Sequence, residues 1–189
     1  MRIMVVIGSV RPGRIGPTVA DWVVRSIADR HPDAEVDLVD LADLALPFLD
    51  ESAHPRMASY EQPHTLAWSA RVTEADAVLL VAPEYNHSYS PALKNALDYL
   101  HREWWRKPVG IVCYGGVSAG TRGVDALTPV LVTLGMVKTG AGVEIGFAGG
   151  RIREAGGVFA PQGREDELLD HIVVEFRELG AALRPLQNR

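Results

Sequence analysis

The sequence predicts an α/β protein, a doubly wound five-stranded parallel sheet with helices on both faces. Two short runs, residues 3–7 and 77–82, are wholly apolar, as expected of strands covered on both faces and too short for ordinary globular helices. Stretches with apolar residues at helical spacing alternate with such runs along the chain, and that alternation implies parallel strands joined by right-handed crossovers. In sheets of this kind ligands sit beyond the carboxyl ends of the strands, where the strand order reverses.

Taken in order, residues 3–7 form the first strand, closed by Gly8. A helix follows over residues 17–30, with Val19, Trp22, Val23 and Ile27 on one face and Pro17 suited to its first turn. Residues 34–39 are the second strand, and residues 40–61, interrupted by Pro47 and Pro55, a long loop. A helix over 61–74 leads to the third strand at 77–82. Ser90 and Pro91 read as an N-cap and first helical residue, and Leu93, Leu97, Leu100 and Trp104 mark the face of a helix bounded by Pro108. The fourth strand is 109–114, and the next helix spans 124–134, tolerating Pro129 only with a kink or an early end. The fifth strand lies within 137–145, residues 146–163 form a flexible glycine-rich connection, and an amphipathic helix over 164–183 closes the chain.

Composition narrows the function. With 189 residues and 47% hydrophobic content, the chain suits one domain over 1–189. A net charge of −5 argues against nucleic acid as the main partner, because duplex binding needs a concentrated basic face. One cysteine, Cys113, excludes an internal disulfide and a zinc site of several thiolates, and the histidines show no metal-ligand spacing. No stretch reaches about 18 apolar residues, so no membrane partner is expected, and the thiol content fits a reducing cytoplasm.

Three loops at carboxyl ends of strands carry the chemistry. The first, residues 8–18, has no acidic residue, and Asp21 is the first carboxylate of the chain. Hydroxyls, guanidinium groups and backbone amides gathered at a helix N-terminus favour an anion such as phosphate, although glycine, serine and arginine also occur in ordinary surface turns. Arg14-Ile15 stands where a Walker A loop needs Lys-Ser/Thr, and no Gly-x-Gly-x-x-Gly turn is present, so a nicotinamide nucleotide would visit as a substrate rather than occupy its own domain. The second loop, Pro83 through Pro91, sets two tyrosines among hydrogen-bonding groups and suits a flat heterocycle, though a simple capped turn has the same punctuation. The third, Tyr114 through Gly123, lets backbone approach a ligand closely. It also contains Gly116-x-Ser118-x-Gly120, the form of a nucleophile elbow, so a serine hydrolase using Ser118 is a rival reading. Its weakness is that the only later histidine, His171, falls inside a predicted helix.

Gly8-Ser9-x-Arg11, Pro83-Glu84-Tyr85-Asn86 with Leu93-Lys94-Asn95-Ala96-Leu97-Asp98, and Gly115-Gly116-x-Ser118-x-Gly120 together resemble the flavodoxin-like NADPH-dependent FMN reductases, a family with quinone, azo-dye and metal-ion reductases among its relatives. The resemblance implies strand order 2-1-3-4-5, bound FMN, and NADPH or NADH as electron donor. It places the phosphate at Ser9 and Arg11, with Arg14 and Thr18 nearby, and the isoalloxazine against Pro83, Glu84, Tyr85 and Asn86. Gly115, Gly116 and Ser118 would approach the ring from the third loop. Many relatives have Ser and Asn shortly after the arginine, where this chain has Arg14-Ile15-Gly16-Pro17-Thr18. The implied reaction passes hydride from the nicotinamide to the flavin and electrons on to a small-molecule acceptor, with no indispensable protein acid or base and no metal. A flavodoxin-like electron carrier without nicotinamide activity is the alternative. The resemblance further implies a homodimer or homotetramer with Trp104 and Trp105 near the subunit boundary. Arg14, Arg122, Arg151 and Arg153 are all candidates for the 2′-phosphate of NADPH, and the sequence does not rank them.

Overall fold

Strand β1 (Arg2–Ile7) lies at the centre of the sheet because its five buried residues alternate between two apolar layers. The structure, a computed structural model, describes residues 1–187. β1 pairs in parallel with β2 (Glu35–Asp40) on one side and β3 (Ala77–Pro83) on the other, and β3 pairs with β4 (Pro108–Gly115). The order 2-1-3-4-5 holds, with a sixth strand beside β4.

Helices α1 (Gly16–Arg30), α6 (Ala148–Glu154) and α7 (Glu165–Gln187) cover one face, with Val19, Trp22, Ile152, Ile172 and Phe176 against Ile3, Val5, Ile7 and Val81. On the other, α2 (Leu41–Leu44), α3 (Pro63–Glu74), α4 (Pro91–Asp98) and α5 (Thr121–Thr133) bring Leu41, Trp68, Leu93, Leu97 and Leu127 onto Met4, Val6, Val78 and Leu80. Burial of each such side chain stabilises the fold by about 1.5–3 kcal/mol before entropy is counted.

The structure corrects five details. The fifth strand is two pieces, β5 (Val137–Lys138) and β6 (Val143–Gly146), both alongside β4. Between them the amides of Gly140 and Ala141 turn away to the Glu175 carboxylate on α7 at 2.6 and 2.8 Å, which interrupts the ladder. The supposed flexible connection contains α6, anchored by buried Ala148 and Ile152. The long loop after β2 contains α2, capped by Asp40, and a 3₁₀ turn at Pro55–Met57. α4 stops at Asp98, and Trp104 belongs to a separate 3₁₀ turn, Arg102–Trp104. Pro129 does not end α5, which runs on to Thr133 with Leu127 and Leu131 holding it on the core, and Asp125, whose carbonyl loses its helical partner to the proline, is an exposed residue.

Trp104 is also not at a free surface. It is buried, stacks edge-on against Trp68 at 6.0 Å and donates its indole N–H to the Leu97 carbonyl, so it is a core residue of the subunit. Trp105 remains exposed, with the Arg106 guanidinium 4.8 Å above its ring.

Candidate active site

Reversal of strand order between β1 and β3 opens a cleft of about 350 Å³ at their carboxyl ends. Ser9, Arg11 and Arg14 reach it from the first loop, Pro83, Glu84 and Tyr85 from the second, and Gly115 from the third. Thr18, in the first turn of α1, and Asn86, Gly116 and Ser118 stand outside the cleft's immediate lining. The lining also includes Ile15, Tyr114 and, from α6, Gly149 and Arg153.

The floor is polar and unsatisfied. Ser9 is 1% exposed and Tyr114 6%, yet neither hydroxyl makes a hydrogen bond of ordinary geometry inside the protein. Both converge on the start of α1: a Cβ on Gly16 would lie 2.2 Å from the Ser9 Oγ and 2.8 Å from the Tyr114 hydroxyl. Only glycine leaves room for that approach. α1 itself has no side-chain cap and no acid in its first turn, so its positive end and free N–H groups face the same place. Burial pushes the Tyr114 hydroxyl up to about 12, while the neighbouring Ser9 hydroxyl and the charges of Arg14 and Arg11 act the other way; it is a donor at neutral pH.

Arg14 has a different role from Arg11. Register puts Asp40 beside Ile7 at the end of β2, and its carboxylate receives both Arg14 Nη1 and Nη2 at 2.8 Å. Nη1 also donates to the Ser9 carbonyl at 3.1 Å, so Arg14 braces the first loop, and the hydrogen bonds it donates to Asp40 raise its already high pKa. Arg11 has no such partner among the described residues.

The second loop is a tight reversal. Tyr85 and Ser88 exchange backbone hydrogen bonds at 2.8 and 2.9 Å, with Asn86 and His87 both left-handed at φ 48° and 66°. Asn and His are among the non-glycine residues that enter that region most readily, at a cost that the surrounding contacts offset. Ser90 ties this loop to the first by donating to the Gly8 carbonyl while accepting from the Leu93 amide at 3.1 Å. In the helix behind it, Asn95 holds the loop after α2, donating to the Pro47 carbonyl at 2.6 Å and accepting from the Leu49 amide at 3.0 Å.

The third loop turns at Gly120, φ 97°, where a Cβ would strike the Tyr114 amide at 2.7 Å. Ser118 donates to Glu84 Oε2 at 2.7 Å, and Arg122 lies 3.9 Å from Glu84 Oε1 and 2.9 Å from the His87 ring. The serine's partner is thus a carboxylate rather than an imidazole, and His171 is on α7, so among the described residues Ser118 lacks the histidine base of a hydrolase. Cys113 is buried in β4, its thiol pushed up to about 12 by burial and inert as a nucleophile.

Comparison with known proteins settles the ancestry. The family described as NADPH-dependent FMN reductase matches residues 1–149. This chain belongs to that family. It is 43% identical over 121 residues to an NAD(P)H-dependent FMN reductase of Schizosaccharomyces pombe, covering 63% of this chain and 60% of that one. It thus spans less than two thirds of that relative's length. An NADPH azoreductase of a Bacillus strain is 31% identical over 188 residues, covering 98% of this chain and 86% of the relative. Among solved structures, the flavoenzyme NAD(P)H:acceptor oxidoreductase FerB from Paracoccus denitrificans superposes with a TM-score of 0.74 at 22% identity, covering 94% of this chain and 96% of its own, which supports the flavodoxin-like fold.

Proposed function

We propose that this protein is an FMN-dependent oxidoreductase that takes hydride from NADPH or NADH and delivers electrons to a small-molecule acceptor such as a flavin, a quinone or an azo compound. The observation that carries the reading is the pair of buried hydroxyls, Ser9 and Tyr114, left without partners at the uncapped start of α1. A phosphate monoester supplies the acceptors that these donors and the helix N–H groups lack. The residues present therefore fit FMN.

In this reading Ser9, Arg11 and the first turn of α1, including Thr18, hold the phosphate, and Arg14, fixed by Asp40, keeps the Ser9 carbonyl in place. Pro83 through Asn86 form the wall for the isoalloxazine, with the Tyr85 ring as its apolar face. Gly115 and Gly116 bring backbone close to the ring's edge, and Ser118 and Arg122 hold Glu84 so that its carboxylate does not swing into the cleft. Bound FMN supplies the redox chemistry, so the protein needs no acid or base of its own and contributes position, electrostatics and access.

We place the site in a single FMN-binding domain, residues 1–189, of a homodimer or homotetramer. Val117, 86% exposed, and Phe147, 63% exposed, are large apolar side chains in the loops after β4 and β6, and a second subunit would cover them. No helix of the described residues is long and apolar enough to cross a membrane, and a buried, unpaired Cys113 suits the cytoplasm we assign to it. Sedimentation at micromolar concentration should give a dimer or tetramer; a monomer contradicts the assembly.

The function is tested by an anaerobic visible spectrum of the FMN-reconstituted protein before and after NADPH or NADH. Bleaching of the bound flavin on mixing is expected. Flavin that binds and stays oxidised makes the protein an electron carrier, and failure to bind FMN overturns the site.

A further inference from the structure

This inference rests on the FMN reading and concerns how the cleft recognises the phosphate. A phosphate monoester near pH 7 carries a charge of about −1.5 to −2. Of the two arginines that the first loop offers, Arg14 is neutralised by Asp40, which leaves Arg11 alone on that wall. The cleft is also lined by Gly149 and Arg153 of α6, a helix of which residues 150–154 lie beyond the stretch that matches the family, residues 1–149.

The three central side chains of α6 divide their work. Arg151 makes a two-point ion pair with Glu165 at 2.6 and 2.8 Å, and its guanidinium lies 4.8 Å over the Phe159 ring, which packs on Trp22 of α1 at 5.0 Å. Ile152 is buried in the core beneath. These contacts fix the helix against α1 and α7 and leave Arg153 exposed at the cleft, where it has no carboxylate or hydrogen-bond partner among the described residues. A Cβ on Gly149 would meet both the Arg153 Nη1 at 3.7 Å and Ile15 Cδ1 at 3.9 Å, so the guanidinium and the residue that precedes α1 flank the same glycine. That is the helix end towards which the unpartnered Ser9 and Tyr114 hydroxyls point.

We propose that Arg153 is a phosphate-binding residue that joins Arg11 in holding the flavin phosphate and makes the cleft selective for FMN over unphosphorylated riboflavin. The other three arginines that the sequence offers for a second phosphate are engaged elsewhere, Arg14 with Asp40, Arg122 with Glu84 and His87, and Arg151 with Glu165. Because Arg153 is exposed and unpaired, its replacement leaves the fold intact, and an unchanged melting temperature is the control.

The test strips flavin from the full-length parent, Arg153→Ala and Arg153→Lys proteins and measures Kd for FMN and for riboflavin by flavin fluorescence quenching at low and high salt. Loss of a charge-assisted contact predicts an FMN Kd raised about tenfold in Arg153→Ala, with a shallower salt dependence, an intermediate value in Arg153→Lys, and riboflavin binding unchanged. Equal changes for both flavins, or no change for either, overturn the proposal. So does an unchanged FMN Kd accompanied by a collapsed preference for NADPH over NADH, which would assign Arg153 to the dinucleotide. If the parent itself fails to bind FMN, the underlying cofactor reading falls; a parent that binds FMN beside an equally tight Arg153→Ala removes only this inference.

Discussion

The two ends of the sheet treat their charges in opposite ways. At the amino-terminal end, Arg2 pairs with Glu74 at 2.8 Å, Arg177 with Asp33 at 2.7 Å, and Lys107 donates to the Ala75 carbonyl. At the carboxyl end, Arg11 and Arg153 lack carboxylate partners among the described residues, and the Ser9 and Tyr114 hydroxyls are buried without a hydrogen bond of ordinary geometry. Two buried hydroxyls left open at a cleft where two arginines without carboxylate partners also gather make that cleft the candidate place for a ligand.

The largest expected effect belongs to the closed end. Phe176→Ala removes a fully buried ring from α7 and should cost about 3–5 kcal/mol in chemical denaturation, with FMN affinity of the folded fraction unchanged. A loss of FMN affinity there would blur the division between the ends.

Lys107 sharpens it. Burial pushes its pKa from 10.5 down to about 8, so between those values the unfolded chain binds more protons than the folded one. Stability from this group therefore rises as pH increases from 8 towards 10.5, by up to about 3 kcal/mol. Lys107→Met should flatten that dependence in denaturation curves taken across the range; a parent whose stability has no such component contradicts the burial.

Asp40→Asn gives the smallest effect and the most pointed sign. Asn still caps α2 but releases Arg14, so with Arg14 as a brace the first loop loosens and FMN binding weakens a few-fold, equivalent to about 1 kcal/mol. Tighter binding would mean that Arg14 is a direct phosphate ligand held back by Asp40.

Much of this architecture is legible in the sequence because the all-apolar runs at β1 and β3 admit few alternatives, and the first loop's lack of acids is a direct chemical signal. The sequence does not show that Asp40, 26 residues after Arg14, returns to neutralise it, since that depends on the register of β2 against β1. Tyr114 reads as the apolar end of a strand, and only the approach of Gly16 and Ser9 turns its hydroxyl into part of the site. α6 is missed because Ala148-Gly149-Gly150 argues against a helix by propensity, while the packing of Ile152 and the Arg151–Glu165 pair overrides it. Trp104 looks like an interface residue until Trp68 and the Leu97 carbonyl are seen to enclose it.

The central claim, that the cleft leaves polar groups unsatisfied for FMN to complete, is tested most directly by denaturing the parent and the Ser9→Ala/Tyr114→Phe double variant with and without saturating FMN. The account predicts a crossover: without FMN the variant is more stable than the parent by about 1–2 kcal/mol, because two unpaired buried hydroxyls are gone, and with FMN it is less stable. A variant that ranks the same way against the parent in both conditions would contradict it.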